Sequence, residues 1–294
     1  MPYVDREGAS LYYEEAGAGP AILTTHGVVE NGLYWVLPGI VDALVRAGFR
    51  VISTDMRGHG RTRRLDGPPG FDVETVAEDF GAVADHLGID RFHLLTHATG
   101  GMAGLRYAIR HHERLLSLMS TDTGSATLPS DEAAAVTDPA ATFERVPFSG
   151  NPLAQAMAGG MRGRRWEDTS PANRAAWREN VFLNSMHAAV NPEAAAGMLE
   201  AIQRRGDPET LADFMTSFYD DPDPQIAGLR GISCPCLVLL GEHDRLFVKP
   251  SELLAREIPN CRHVVWEGRG HMTALEDPAR LARELAEFLA GVRS

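Results

Sequence analysis

The chain has 294 residues, 44% hydrophobic and 23% charged, enough to bury a sizeable core as one large α/β domain or as a domain carrying an insertion. With 40 acidic against 28 basic side chains the formal net charge is -12, which argues against a nucleic-acid partner or an anionic membrane surface, since both need clustered Lys and Arg. No apolar run approaches the ~20 residues of a membrane span, and the stretch Met1 to Gly8 lacks the layout of a signal peptide, so a cytoplasmic location is expected.

Residues 3 to 16 carry two short alternating runs around Gly8-Ala9-Ser10 and predict an opening hairpin, ended by Gly17 to Pro20. The apolar and β-branched run Ala21 to Thr25 reads as a strand covered on both faces and leads into His26-Gly27-Val28. A helix from Leu37 to Gly48 and a strand from Phe49 to Thr54 follow, so β and α have begun to alternate. The glycine turn Asp55-Met56-Arg57-Gly58-His59-Gly60-Arg61-Thr62 comes next. Asp72 then caps a helix whose apolar Val73, Val76, Ala77, Phe80, Val83, Ala84 and Leu87 recur at three and four, and Gly88 closes it. His93 to Gly104 reads as a buried strand, a sharp turn and a helix running to about His112. Leu115 to Ser120 is a further buried strand, with Asp122 just past its end.

Then the alternation fails. Residues 125 to about 222 hold no convincing strand, and Ala-rich patterns at 152 to 161, 171 to 189, 192 to 204 and 208 to 219 predict four helices. The α/β pattern resumes with a strand over Ile232 to Leu240 that ends in Gly241-Glu242-His243-Asp244. A helix from about Ser251, a strand over Arg262 to Trp266 and the loop Gly268-Arg269-Gly270-His271-Met272 follow. The last helix opens on Asp277-Pro278, a cap and a first-turn proline, with Leu281, Leu285, Phe288 and Leu289 on one face. Cys234, Cys236 and Cys261 are odd in number and stand at the starts of strand-like runs, so buried free thiols are expected in place of disulfides. His111 and His112 adjoin on a helix and do not face one another, which disfavours a joint metal site. No Gly-rich phosphate loop follows the first strand, and no metal or cofactor is expected.

Thr96-His97-Ala98-Thr99-Gly100 resembles the G-x-S-x-G nucleophile elbow of the α/β-hydrolases, with Thr96 for the first Gly and Ala98 where the nucleophile stands. Asp55 to Thr62 resembles that family's D-x-R-G-x-G-x-S turn, in which Asp55 and Arg57 would be structural braces. Pro235 to Asp244 is similar to the segment carrying the acid of the triad, and Gly270-His271 to the loop carrying its histidine. The resemblance covers about residues 3 to 124 and 225 to 292. It implies a mostly parallel sheet with helices on both faces, a core domain over 1–124 and 223–294, and a helical cap over 125–222. It further implies a base at His271, held by Asp244, and an oxyanion hole made by the N–H groups of Val28 and Thr99. Asp122 is the runner-up acid, and His97 is expected to point away from the pocket along the pleat.

Met157, Trp166, Trp177, Phe182 and Met186 of the cap, with His26, Trp35 and Met272 of the core, are the candidate lining for a small, largely apolar substrate. Ala98 has no donor, acceptor or nucleophile, so an acyl-enzyme through residue 98 is impossible. Three readings follow. The first is a serine-type hydrolase of an ester, lactone or related acyl bond whose nucleophile has been replaced, so that it binds without turnover. The second is a cofactor-independent enzyme, such as a dioxygenase, lyase or cyclase, using His271 and Asp244 as its base. The third is a non-catalytic binding protein. The substrate and the oligomeric state stay open, because fold alone does not carry them.

Overall fold

A computed structural model of the chain describes residues 2–124, 152–165, 168, 170–184, 186, 188–204, 206–221, 223, 225–244 and 247–292. The opening hairpin joins β1 (Tyr3–Arg6) to β2 (Ala9–Gly17). Its turn is Glu7-Gly8, one residue earlier than the Gly8-Ala9-Ser10 centre read from the sequence, because Ala9 and Ser10 already pair with Arg6 and Asp5. Glu7 and Gly8 both take positive φ, 39° and 79°, the backbone that matches a two-residue turn to the twist of its strands.

The strands β3 (Ala21–Thr25), β4 (Arg50–Asp55), β6 (Phe92–His97), β7 (Leu115–Thr121), β8 (Cys236–Gly241) and β9 (Cys261–Trp266) run parallel, and β2 joins them antiparallel through β4. The order across the sheet is β1-β2-β4-β3-β6-β7-β8-β9, and the two-residue β5 (Arg63–Arg64) pairs with β2 outside that path. β3, β6 and β8 are buried along their whole length. Their alternate residues feed two cores: Leu23, Ile52 and Leu94 belong to one, and Ile22, Val51 and Leu95 to the other. β8 starts four residues later than its apolar run, since Pro235 has no N–H for a ladder and residues 226–231 form a 3₁₀ turn.

The helix expected over Leu37 to Gly48 is the shorter α2 (Ile40–Arg46), and a one-turn helix α1 (Leu33–Val36) that was not expected precedes it. α3 (Val73–His86) begins where Asp72 accepts the N–H of Thr75 at 2.8 Å, and Gly88 with φ 67° ends it. α4 (Ala98–His111) follows the elbow. Between β7 and β8 lie α5 (Pro152–Met161), α6 (Pro171–Asn184), α7 (Pro192–Gln203) and α8 (Pro208–Phe218), and no described residue of that window is in a strand. The expected helix over 171–189 ends at Asn184, because the chain must leave it before Asn191 caps α7 through the N–H of Ala194. Residues 125–151 of the expected cap lie outside the described residues. α9 (Val248–Glu257), α10 (Thr273–Glu276) and α11 (Pro278–Gly291) complete the chain. No described helix is long and apolar enough to cross a membrane. Cys234, Cys236 and Cys261 are unpaired, the first two buried.

The glycine turn after β4 is held by charge. Asp55 accepts the N–H of Gly32 and of Arg61, each at 2.7 Å, and so ties the loop after β3 to the turn. Arg57 has no solvent exposure; its guanidinium bonds both carboxylate oxygens of Asp79 at 2.7 and 2.8 Å and the carbonyls of Glu7 and Arg6 at 2.6 and 3.1 Å.

Candidate active site

β6 runs extended to His97, and Ala98 then takes φ 46° as α4 begins. That left-handed backbone costs an L-residue roughly 1–2 kcal/mol, so something around it must compensate. Thr123 Oγ1 donates to the carbonyl of Ala98 at 2.7 Å, and the N–H of Gly100 donates to the carbonyl of His26 at 3.1 Å. The first bond ties the start of α4 to the chain just past β7, and the second presses it against the end of β3. A Cβ on Gly100 would overlap the oxygen of His26, and one on Gly27 would lie 3.1 Å from the methyl of Ala98. Glycine is therefore required at 100. We expect Gly100→Ala to lower stability by about 1–3 kcal/mol, the usual range for overpacking; an unchanged thermal unfolding midpoint would contradict the close approach.

The loop after β9 carries His271. Gly241, at the end of β8, has no room for a Cβ against Arg269 and Gly270, and this contact brings the histidine beside the residues that follow β8. Nδ1 of His271 lies 2.9 Å from Oδ2 of Asp244, a carboxylate with no solvent exposure. Phe247 stacks on the imidazole at 5.5 Å. Burial works against charge on His271, but the Asp244 carboxylate outweighs it and leaves the pKa above the ordinary histidine value. With Nδ1 committed to the acid, proton exchange with a ligand falls to Nε2. Asp122, the other carboxylate considered, bonds elsewhere: its Oδ2 accepts the hydroxyl of Thr273 at 2.7 Å and faces His97 Nδ1 at 3.3 Å.

Thr99 is buried at the start of α4, its Oγ1 2.5 Å from the hydroxyl of Tyr219, and Val28 is half-buried next to Gly27. The other candidates divide. His26 is fully buried, its Nδ1 2.7 Å from the carbonyl of Gly27 and its Nε2 accepting the N–H of Met56 at 3.0 Å, so both nitrogens brace the loop and neither is left for a substrate. Trp35 is likewise fully buried and donates Nε1–H to the carbonyl of Thr25 at 2.8 Å, which corrects its reading as pocket lining: the indole is spent on the scaffold. Met186 and Met272 are packed in the core that contains Trp35 and Trp266, and Met157 on α5 is exposed. Trp166 lies outside the described residues, as do the side chains of Trp177 and Phe182 on α6.

Three groups escaped the sequence reading: Glu30, Tyr34 and Thr273. His97, expected to point away from the pocket along the pleat, is fully buried, its ring 5.1 Å from that of His271 and stacked on Tyr34 at 4.1 Å. A carboxylate between the glycine of one loop and an aromatic pair was the only trace of Glu30. Tyr219, an aromatic of the cap helices, reaches Thr99 across 120 positions of sequence.

The arrangement offers a base whose tautomer is held by an acid, a helix N-terminus favourable to developing negative charge, and no attacking side chain at the elbow. Residues 20–278 match the alpha/beta hydrolase fold family, and the chain belongs to it. A non-heme chloroperoxidase of Kitasatospora aureofaciens is 28% identical, covering 97% of both chains. A 2-hydroxy-6-oxononadienedioate/2-hydroxy-6-oxononatrienedioate hydrolase of Burkholderia vietnamiensis is 29% identical over 95% of this chain and 90% of its own length. The crystal structure of the enol-lactonase from Burkholderia xenovorans LB400 superposes with a TM-score of 0.75 at 22% identity, covering 98% of this chain and all of that one. The sheet order and flanking helices described above are thus those of the alpha/beta hydrolase fold.

Proposed function

We propose that the protein is a site for a small, largely apolar ester, lactone or related acyl compound, of serine-hydrolase type, whose elbow lacks the nucleophile. It binds such a molecule against the Val28 and Thr99 amides, with the helices of residues 152–218 acting as a cap, and forms no acyl-enzyme. The observation that carries this reading is the backbone of Ala98. A methyl side chain gains nothing from φ 46°, whereas a turn that projects a reacting group above the sheet needs it. The hydrolase and lactonase names borne by relatives favour acyl chemistry. The test is Ala98→Ser: appearance of ester hydrolysis and of a phosphonate adduct at residue 98 supports the reading, and absence of both overturns it.

A second reading draws on the bond between His271 and Asp244, which is intact although no nucleophile needs it. In that reading the pair removes a proton from the substrate directly, and turnover exists in the chain as it stands. His271→Ala separates the two, since only the second reading has an activity to lose.

A further inference from the structure

The groups that the proposed chemistry leaves unused form a second charged cluster beneath the elbow. His97 is fully buried at the end of β6. Its Nε2 faces Glu30 Oε1 at 3.5 Å, and its Nδ1 faces Asp122 Oδ2 at 3.3 Å and the hydroxyl of Tyr34 at 3.2 Å. Each carboxylate also reaches into a loop. The second oxygen of Glu30 accepts the N–H of Gly27 at 2.7 Å, and Oδ2 of Asp122 accepts the N–H and hydroxyl of Thr273 at 3.3 and 2.7 Å. Gly27 immediately precedes Val28, and Thr273 stands two residues after His271. One imidazole thereby joins, through two carboxylates, the loop with the candidate oxyanion amide to the loop with the candidate base.

The backbone records the same junction. Val29 at φ 59°, Ala98 at 46° and Asp122 at 51° adjoin Glu30, adjoin His97 and belong to the cluster, respectively. Strain of this kind persists only where the surroundings over-determine it. The ring's charge follows from its partners. The two carboxylates favour the imidazolium, which presents an N–H to each, Asp122 at 3.3 Å and Glu30 at 3.5 Å, the latter by charge and without a closed hydrogen bond.

We infer that His97 is a positioning residue: an imidazolium held between Glu30 and Asp122 keeps the Gly27-Val28 loop and the His271-Thr273 loop in register at the foot of the elbow. Burial opposes the charge, but Glu30 and Asp122 outweigh it, and the pKa is raised from 6.5 to about 9. Burial likewise works against Glu30, yet the charge of His97 draws its pKa below the usual value. At Asp122, by contrast, burial outweighs the pull of His97 and leaves the pKa above the ordinary carboxylate value. The other titratable groups facing the cluster are His26, whose pKa burial lowers, Tyr34, whose pKa burial raises, and His271 with Asp244 behind it. Because the folded-state pKa of His97 lies above the unfolded one, its contribution is fully present below about 6.5 and is lost as the pH rises through about 9.

The roles of the two loops come from the proposed function, but the test reads ring and amide signals without turnover, so the two fail separately. The experiment is an NMR titration of the full chain, with the His97 ring assigned by its loss in His97→Gln. Both ring nitrogens should be protonated at neutral pH and titrate near 9, and the backbone amides of Gly27 and Thr273 should shift with that same midpoint. In Glu30→Gln and in Asp122→Asn the midpoint should fall by about one pH unit or more, the usual effect of removing an adjacent opposite charge. A ring that is neutral at pH 7, or amides that do not follow it, overturns the inference. Should the carboxylate variants fail to fold, the titration of the unaltered chain decides by itself.

Discussion

Ala98→Ser is expected to raise hydrolysis of an activated ester such as 4-nitrophenyl butyrate by several orders of magnitude. Loss of the serine from a comparable triad costs about 10⁶ in turnover, and the remainder comes from binding and the oxyanion hole. The substitution adds one oxygen to a position whose backbone already holds φ 46°, so the elbow needs no rebuilding to accept it. The base stands ready, with His271 Nδ1 2.9 Å from Asp244. A serine-directed phosphonate should label residue 98 of the variant and leave the unaltered chain unlabelled, as intact-mass measurement and peptide mapping would read. No labelling and no turnover across a panel of esters and lactones would end the hydrolase reading. The unaltered chain and His271→Ala would then be compared: loss of an existing activity favours base catalysis by the pair, while unchanged ligand affinity with no activity in either favours a binding protein.

Arg57→Ala should lower the stability of the fold by about 3–5 kcal/mol, the usual cost of removing one partner of a buried ion pair. The guanidinium has no solvent exposure, and the Asp79 carboxylate it meets is nearly as buried. The substitution leaves that carboxylate with Arg6 alone, at 2.8 Å, and strips the carbonyls of Arg6 and Glu7 of their donor. These carbonyls belong to the opening hairpin, so its pairing should loosen first. Chemical denaturation of the two proteins measures the difference, and a shift below 1 kcal/mol would mean that the turn is held by other contacts. Arg57→Met tests the charge separately from the volume: if packing alone mattered, it would restore most of the loss.

Much of this architecture was legible because it rests on local rules. Strands buried on both faces carry apolar side chains on each, as Ile22 and Leu23 do in Ala21 to Thr25 and Leu94 and Leu95 in Phe92 to His97. Helix starts announce themselves through side chains that satisfy orphan N–H groups, as Asp72, Asn191, Asp207 and Asp277 do. The hydrolase family itself was readable from short glycine turns, because at Gly100 and Gly241 a Cβ has nowhere to go.

What the chain order could not disclose is which polar side chains face inward at the same point. His26 and Trp35 stand in the expected loop, but only packing decides that both are consumed in bracing it. Period-two alternation assigned His97 to a face without saying what lies on that face, and the structure puts Glu30, Tyr34 and Asp122 there, from 67, 63 and 25 positions away. Hydrophobic periodicity is a one-dimensional signal, since burial of each element depends mainly on its own pattern. The charge on a buried imidazole depends instead on the three-dimensional coincidence of its neighbours, because a carboxylate within a few ångströms in a medium of low polarity outweighs the loss of solvation. The sequence by itself therefore determined the layers of the fold and singled out Asp244 and His271, while tertiary structure alone decided that a second histidine, His97, lies beneath them between two carboxylates.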